Sequence, residues 1–113
     1  MDESPERRSA SRFRQPFFLP ELCRRLVAAG AKQILLFGSH ARGEADEYSD
    51  VDLVVIQETD QPFFERMRRM MACVDPDWRV DLLVYTPEEL ARMRQQGNAF
   101  AELVTEEGVR LHG

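Results

Sequence analysis

The chain has 113 residues, of which 20 are acidic and 15 are lysine or arginine, giving a formal net charge of −5. That length supports one hydrophobic core without room for a second substrate-binding lobe, and the acidic balance argues against a broad footprint for duplex nucleic acid. No apolar run approaches the ~20 residues of a membrane span, and the N-terminus lacks the apolar core of a secretory signal, so a cytoplasmic protein without a membrane partner is expected.

Met1 to about Pro16 is polar and charged without a helical or strand period, and is expected to be a flexible leader before a single domain over residues 17–113. The arginines Arg7, Arg8, Arg12 and Arg14, and the later group Arg66, Arg68 and Arg69, read as solvated charge. Cys23 and Cys73 stand apart from each other and from any histidine, which fits reduced, buried thiols and excludes a zinc set. From Pro20 an amphipathic helix is expected, with Leu22, Leu26 and Ala29 on its apolar face and Gly30 as its stop. A strand over Gln33–Phe37 follows, then a short helix beginning near Ser39, then a second strand over Val51–Gln57.

Further on, Asp60 is a candidate cap and Pro62 a first-turn residue for a helix over Gln61–Val74. Its Phe63, Met67, Met70 and Val74 repeat as a core stripe that Phe64 and Met71 widen. After the turn Asp75-Pro76-Asp77, a third strand spans Trp78–Tyr85. Thr86-Pro87-Glu88-Glu89 is a capping box that opens a helix to about Gln96. Gly97 interrupts it, Phe100, Leu103 and Val104 mark one more short helix, and Val109–Leu111 forms a small edge strand.

The chemistry is concentrated between Ile34 and Ile56. Gly38 lets backbone approach a ligand closely, and Ser39 offers a hydroxyl and an amide in the first helical turn, where amides favour phosphate. Side chains alternate along a strand, so Asp50 and Asp52 share one face. Carboxylates crowded together repel unless a cation joins them, and an all-oxygen donor set favours Mg²⁺ or Mn²⁺. Asp81 is a lone carboxylate in an otherwise apolar strand, costly to leave there unless something binds it. His40, in the turn, is expected to face solvent or lie near substrate. Arg42 can either reach a nucleotide phosphate or brace the loop by pairing with Asp46 or Glu47.

At these positions the chain resembles the DNA polymerase beta-like nucleotidyltransferase superfamily, whose signature is Gly-Ser, a spacer of about ten residues, then Asp-x-Asp between apolar strands. It is most similar to the minimal nucleotidyltransferases, in which the signature commonly appears as G-S-x-A-R-G with S-D-x-D-L. Gly38, Ser39, Ala41, Arg42, Gly43, Ser49, Asp50, Asp52 and Leu53 match. The resemblance implies an α/β fold with a small mixed sheet of three to four strands covered by helices. It implies Asp50, Asp52 and Asp81 as catalytic carboxylates holding two Mg²⁺ ions, and Gly38, Ser39 and Arg42 as nucleotide-binding residues. It implies ATP as donor of AMP and, as acceptor, a tyrosine hydroxyl of a HEPN-family toxin, so that the chain acts as an antitoxin. A small-molecule acceptor of the aminoglycoside type and a non-catalytic subunit that masks its partner are the alternatives.

Overall fold

A computed structural model describes residues 16–113, so the expected leader, apart from Pro16, lies outside the described residues. The first helix, α1 (Leu19–Ala28), has proline in its first turn, where a missing N–H leaves no partner unsatisfied, and its Leu19, Leu22 and Leu26 are buried along one stripe. There follow β1 (Gln33–Phe37), α2 (Gly38–Arg42), β2 (Val51–Ile56), α3 (Phe63–Met71), β3 (Val80–Tyr85), α4 (Pro87–Gln95), α5 (Ala99–Glu107) and β4 (Val109–His112). The strands make one mixed sheet in the order β3-β2-β1-β4. β1 is antiparallel to both β2 and β4, while β2 and β3 are parallel and therefore need the crossover that α3 provides.

Helices cover both faces. On one face Ile34, Leu36, Leu53, Val55, Leu82 and Val84 pack against Leu22 and Leu26 of α1 and Met70 of α3. On the other, Phe37, Val54 and Ile56 pack against Leu90 of α4 and against Phe100 and Val104 of α5. Burial from both sides explains why β2 reads as a near-continuous apolar run instead of an alternation. The register of this sheet sets the site: Phe37 of β1 lies opposite Asp52 of β2, and Asp52 opposite Asp81 of β3.

Several sequence expectations are corrected. α3 is shorter than Gln61–Val74, because Pro62, with its extended ψ of 159°, occupies the cap position and Asp60 caps nothing. Met70 is fully buried, and Met67 and Val74 pack against the core, but Phe63 is exposed instead of joining that stripe, and Phe64 and Met71 are exposed instead of widening it. The other buried residue on that helix is Arg66, which the sequence suggested was solvated; it is 6% exposed. Its Nη1 and Nη2 donate to the two carboxylate oxygens of Glu89 at 2.6 and 3.0 Å, and its Nε donates to the Gln61 carbonyl at 3.2 Å. Glu89 closes the Thr86 capping box as well, so one carboxylate ties α3 to the start of α4. β3 starts at Val80 because Trp78 is engaged elsewhere, stacked on Phe18 with ring centroids 4.7 Å apart and with the Arg25 guanidinium over its ring. Cys23 and Cys73 are free thiols, half-buried instead of fully buried, and burial pushes both up from the ordinary thiol range. Among the described residues no helix is long and apolar enough to cross a membrane.

Candidate active site

Residues in register on neighbouring strands point to the same face, so the alignment of Phe37, Asp52 and Asp81 puts two carboxylates side by side where β1 ends and β2 and β3 begin. They open into a cleft of about 680 Å³, within the size range of small-ligand sites. Gly38, Arg42, Asp52, Asp81 and Glu107 are among its lining, with Met67, Met71, Leu83, Phe100 and Leu103 as an apolar wall. The structure therefore brings together four of the six residues singled out from sequence. Ser39, half-buried with its carbonyl accepting the Glu44 N–H at 2.9 Å, is not among those lining the cleft, and neither is Asp50.

Gly38 has a φ of 67°, a left-handed conformation that suits glycine, and a Cβ there would collide with Asp52 Oδ2. The detail differs from the sequence expectation: the space beside this glycine is filled by a carboxylate of the chain itself. Gly38→Ala should cost about 1–3 kcal/mol for the backbone conformation and displace the Asp52 side chain. Urea unfolding checks this, and a variant with the wild-type midpoint would contradict it.

Asp52 is half-buried, and burial first, then the charges of Asp81 and Asp50, push its carboxyl above the usual carboxylate range; His40 and Arg42 offset this only in part. Asp50 precedes β2, and its Oδ1 accepts from Arg79 Nε at 2.9 Å. As the side chains stand, no three His, Cys, Asp or Glu residues among those described converge as a metal-holding group. The donor chemistry nevertheless fits a hard divalent cation: the groups are carboxylate oxygens, and Asp52 carries a repulsion from two like charges that a cation would relieve.

Arg42 braces the loop through Glu44, with Nε to Oε1 at 2.9 Å, and not through Asp46 or Glu47. Asp46 instead organises the loop itself, its Oδ1 accepting from the Tyr48 N–H and the Ser49 hydroxyl. His40 is half-buried; its Nε2 lies 3.4 Å from the Ser49 carbonyl, and its enclosed Nδ1 has no partner among the described residues. It lines a separate cleft of about 380 Å³ with Ser49 and Arg79, not the one holding Asp52 and Asp81. Sequence reasoning missed Arg79. No local pattern marks it, because its pairing with Asp50 arises from the parallel register of β2 and β3.

A four-stranded mixed sheet with helices on both faces, and carboxylates on its adjacent parallel strands beside a glycine turn, is the polymerase beta-like nucleotidyltransferase fold. Residues 18–112 match the nucleotidyltransferase domain family, and the chain belongs to that family. It is 47% identical over 49 residues to a Haemophilus influenzae protein named "Probable protein adenylyltransferase MntA", a match that spans 42% of this chain and 43% of that relative's length. Among solved structures, a Sulfolobus solfataricus protein described as a candidate nucleotidyltransferase superposes with a TM-score of 0.63 at 18% identity, over 96% of this chain and 87% of that one. A toxin–antitoxin complex with AMP-PNP contains a chain that superposes with a TM-score of 0.55 at 21% identity, over 84% of this chain and 73% of that one.

Proposed function

We propose that the chain is a divalent-cation-dependent adenylyltransferase that moves AMP from ATP to a protein hydroxyl, a tyrosine of a HEPN-type toxin, and so acts as the antitoxin of that pair, with residues 17–113 as its catalytic domain. The observation that carries this is the register of Asp52 with Asp81 across parallel strands at the mouth of the cleft. The nucleotide and the class of acceptor are supported by similarity to a protein named as a protein adenylyltransferase and by the fold shared with a toxin–antitoxin chain solved with AMP-PNP.

Asp50, Asp52 and Asp81 would hold two Mg²⁺ ions, or Mn²⁺ in their place. When bound, such ions neutralise charge developing on the entering and leaving oxygens. The rest falls to the chain itself. The Gly38-Ser39 turn, of which Gly38 lines the cleft, and Arg42 would face the triphosphate; the Arg42–Glu44 pair is exposed at both ends and therefore weak enough to be exchanged for phosphate oxygens. Asp81 is exposed on the edge strand, where an incoming hydroxyl can donate to its carboxylate. The apolar wall of Leu83, Phe100 and Leu103 suits an aromatic ring and limits water beside the α-phosphorus.

Mg²⁺ and ATP together should therefore raise the melting temperature by about 10 °C at a hundredfold excess over the dissociation constant, and either alone by much less. The Asp50→Asn/Asp52→Asn protein should lack the joint shift. Equal shifts in the two proteins would defeat the assignment of these carboxylates. A masking subunit without catalysis would bind its partner and leave it unlabelled by AMP.

A further inference from the structure

We infer that Arg79 is an internal counter-ion of Asp50, which a divalent cation must displace before Asp50, Asp52 and Asp81 can act on it together. This rests on the cation site proposed above.

The pairing is built into the sheet. Asp50 and Arg79 immediately precede β2 and β3, and the Val51 N–H donates to the Arg79 carbonyl at 2.9 Å, so the backbone holds the two residues as neighbours. Arg79 Nε then donates to Asp50 Oδ1 at 2.9 Å. With Asp50 held this way, the carboxylates do not converge as a metal-holding group among the described residues. Asp50 still lies near enough for its charge to bear on Asp52. Both observations fit a guanidinium that holds a carboxylate which the cation set needs.

Exposure decides whether the pair can open. The side chains of Arg79 and Asp50 are 62% and 44% exposed, so water and salt screen them and the pair is weak. A divalent ion offered several carboxylates outbids one exposed guanidinium. The buried fork between Arg66 and Glu89 could not be opened so cheaply. Arg79 thus balances charge at the site before the cation arrives and makes cation affinity a competition.

Calorimetric titration of the nucleotide-free full chain with MnCl₂ tests this. Arg79→Gln should bind Mn²⁺ about threefold more tightly than wild type, the scale set by an exposed ion pair, and the difference should shrink as NaCl is raised. Arg79→Lys, which keeps the charge, should titrate close to wild type. Melting curves in EDTA establish that each variant is folded. Weaker Mn²⁺ binding by Arg79→Gln would overturn the inference by making Arg79 a residue that orients Asp50 for the ion, and unchanged binding would overturn it by making the pair incidental. Loss of binding in Asp52→Asn beside either of those results would leave the carboxylate site standing, whereas no Mn²⁺ binding by wild type would remove the site and the inference together.

Discussion

Asp52→Asn should leave a folded protein that transfers AMP about 10²- to 10³-fold more slowly than wild type, the scale for loss of one preorganised electrostatic group at a reacting centre. Asp52 sits on the central strand, between Phe37 and Asp81 in register, so a side chain of the same shape keeps the packing. The charge it loses is one that the fold disfavours, since burial and the neighbouring Asp81 and Asp50 raise its carboxyl. A carboxyl raised in the folded state stabilises the fold while it is protonated, and that contribution is lost as pH rises through the folded value. In EDTA at neutral pH the variant should therefore melt at or slightly above the wild-type temperature, and the difference should close as the pH falls into the carboxylate range. Melting curves at the two pH values, read beside the rate of transfer, check both halves. A variant that melts far below wild type would make Asp52 a structural residue.

The largest loss of stability should come from parting Arg66 and Glu89. Breaking a buried ion pair by removing one partner costs about 3–5 kcal/mol, a substantial part of the 5–15 kcal/mol that holds such a domain together. The two partners are not equivalent. The Arg66 side chain is 7% exposed and that of Glu89 31%, so Glu89→Gln strands the more deeply buried charge and should cost more than Arg66→Met. The hydrogen bonds from Arg66 first, then the backbone bond at Thr86, hold the Glu89 carboxyl below the usual range. A depressed carboxyl contributes stability that is present at neutral pH and lost as pH falls through its folded value. Arg66→Met should accordingly flatten the acid side of the stability profile. Urea midpoints across pH for the single and double variants measure the coupling, and additive effects of the two substitutions would show that the pair contributes nothing of its own.

How much of this was legible in the sequence depended on the range of the interactions involved. The four strands, the first-turn proline Pro20, the cap at Thr86, and the carboxylates announced themselves through local period and turn chemistry. Even there, β3 came out two residues short at its start, because Trp78 was claimed by Phe18, some sixty residues earlier in the chain. Arg66 looked solvated because its partner Glu89 lies 23 residues away, in the first turn of α4. The expected partners of Arg42 were wrong for the opposite reason: the true one, Glu44, is two residues off, at a spacing with no helical regularity to flag it. Gly38 was recognised as necessary, but its reason, the Asp52 carboxylate lying against the backbone, depends on the register between β1 and β2. Arg79 escaped notice because no local pattern links it to Asp50, only the parallel pairing of β2 with β3.

The measurement that bears most directly on the central claim is transfer of labelled AMP from ATP, with Mg²⁺, to a co-expressed HEPN-type partner, compared between wild type and Asp81→Asn. Asp81 is exposed on the edge strand and packs against little, so its amide should fold normally and bind Mg²⁺ with ATP at close to wild-type affinity, as calorimetry would confirm. Labelling of the partner should be strong with wild type and fall by about a hundredfold or more with Asp81→Asn. Near-normal labelling by a folded Asp81→Asn protein would contradict the account.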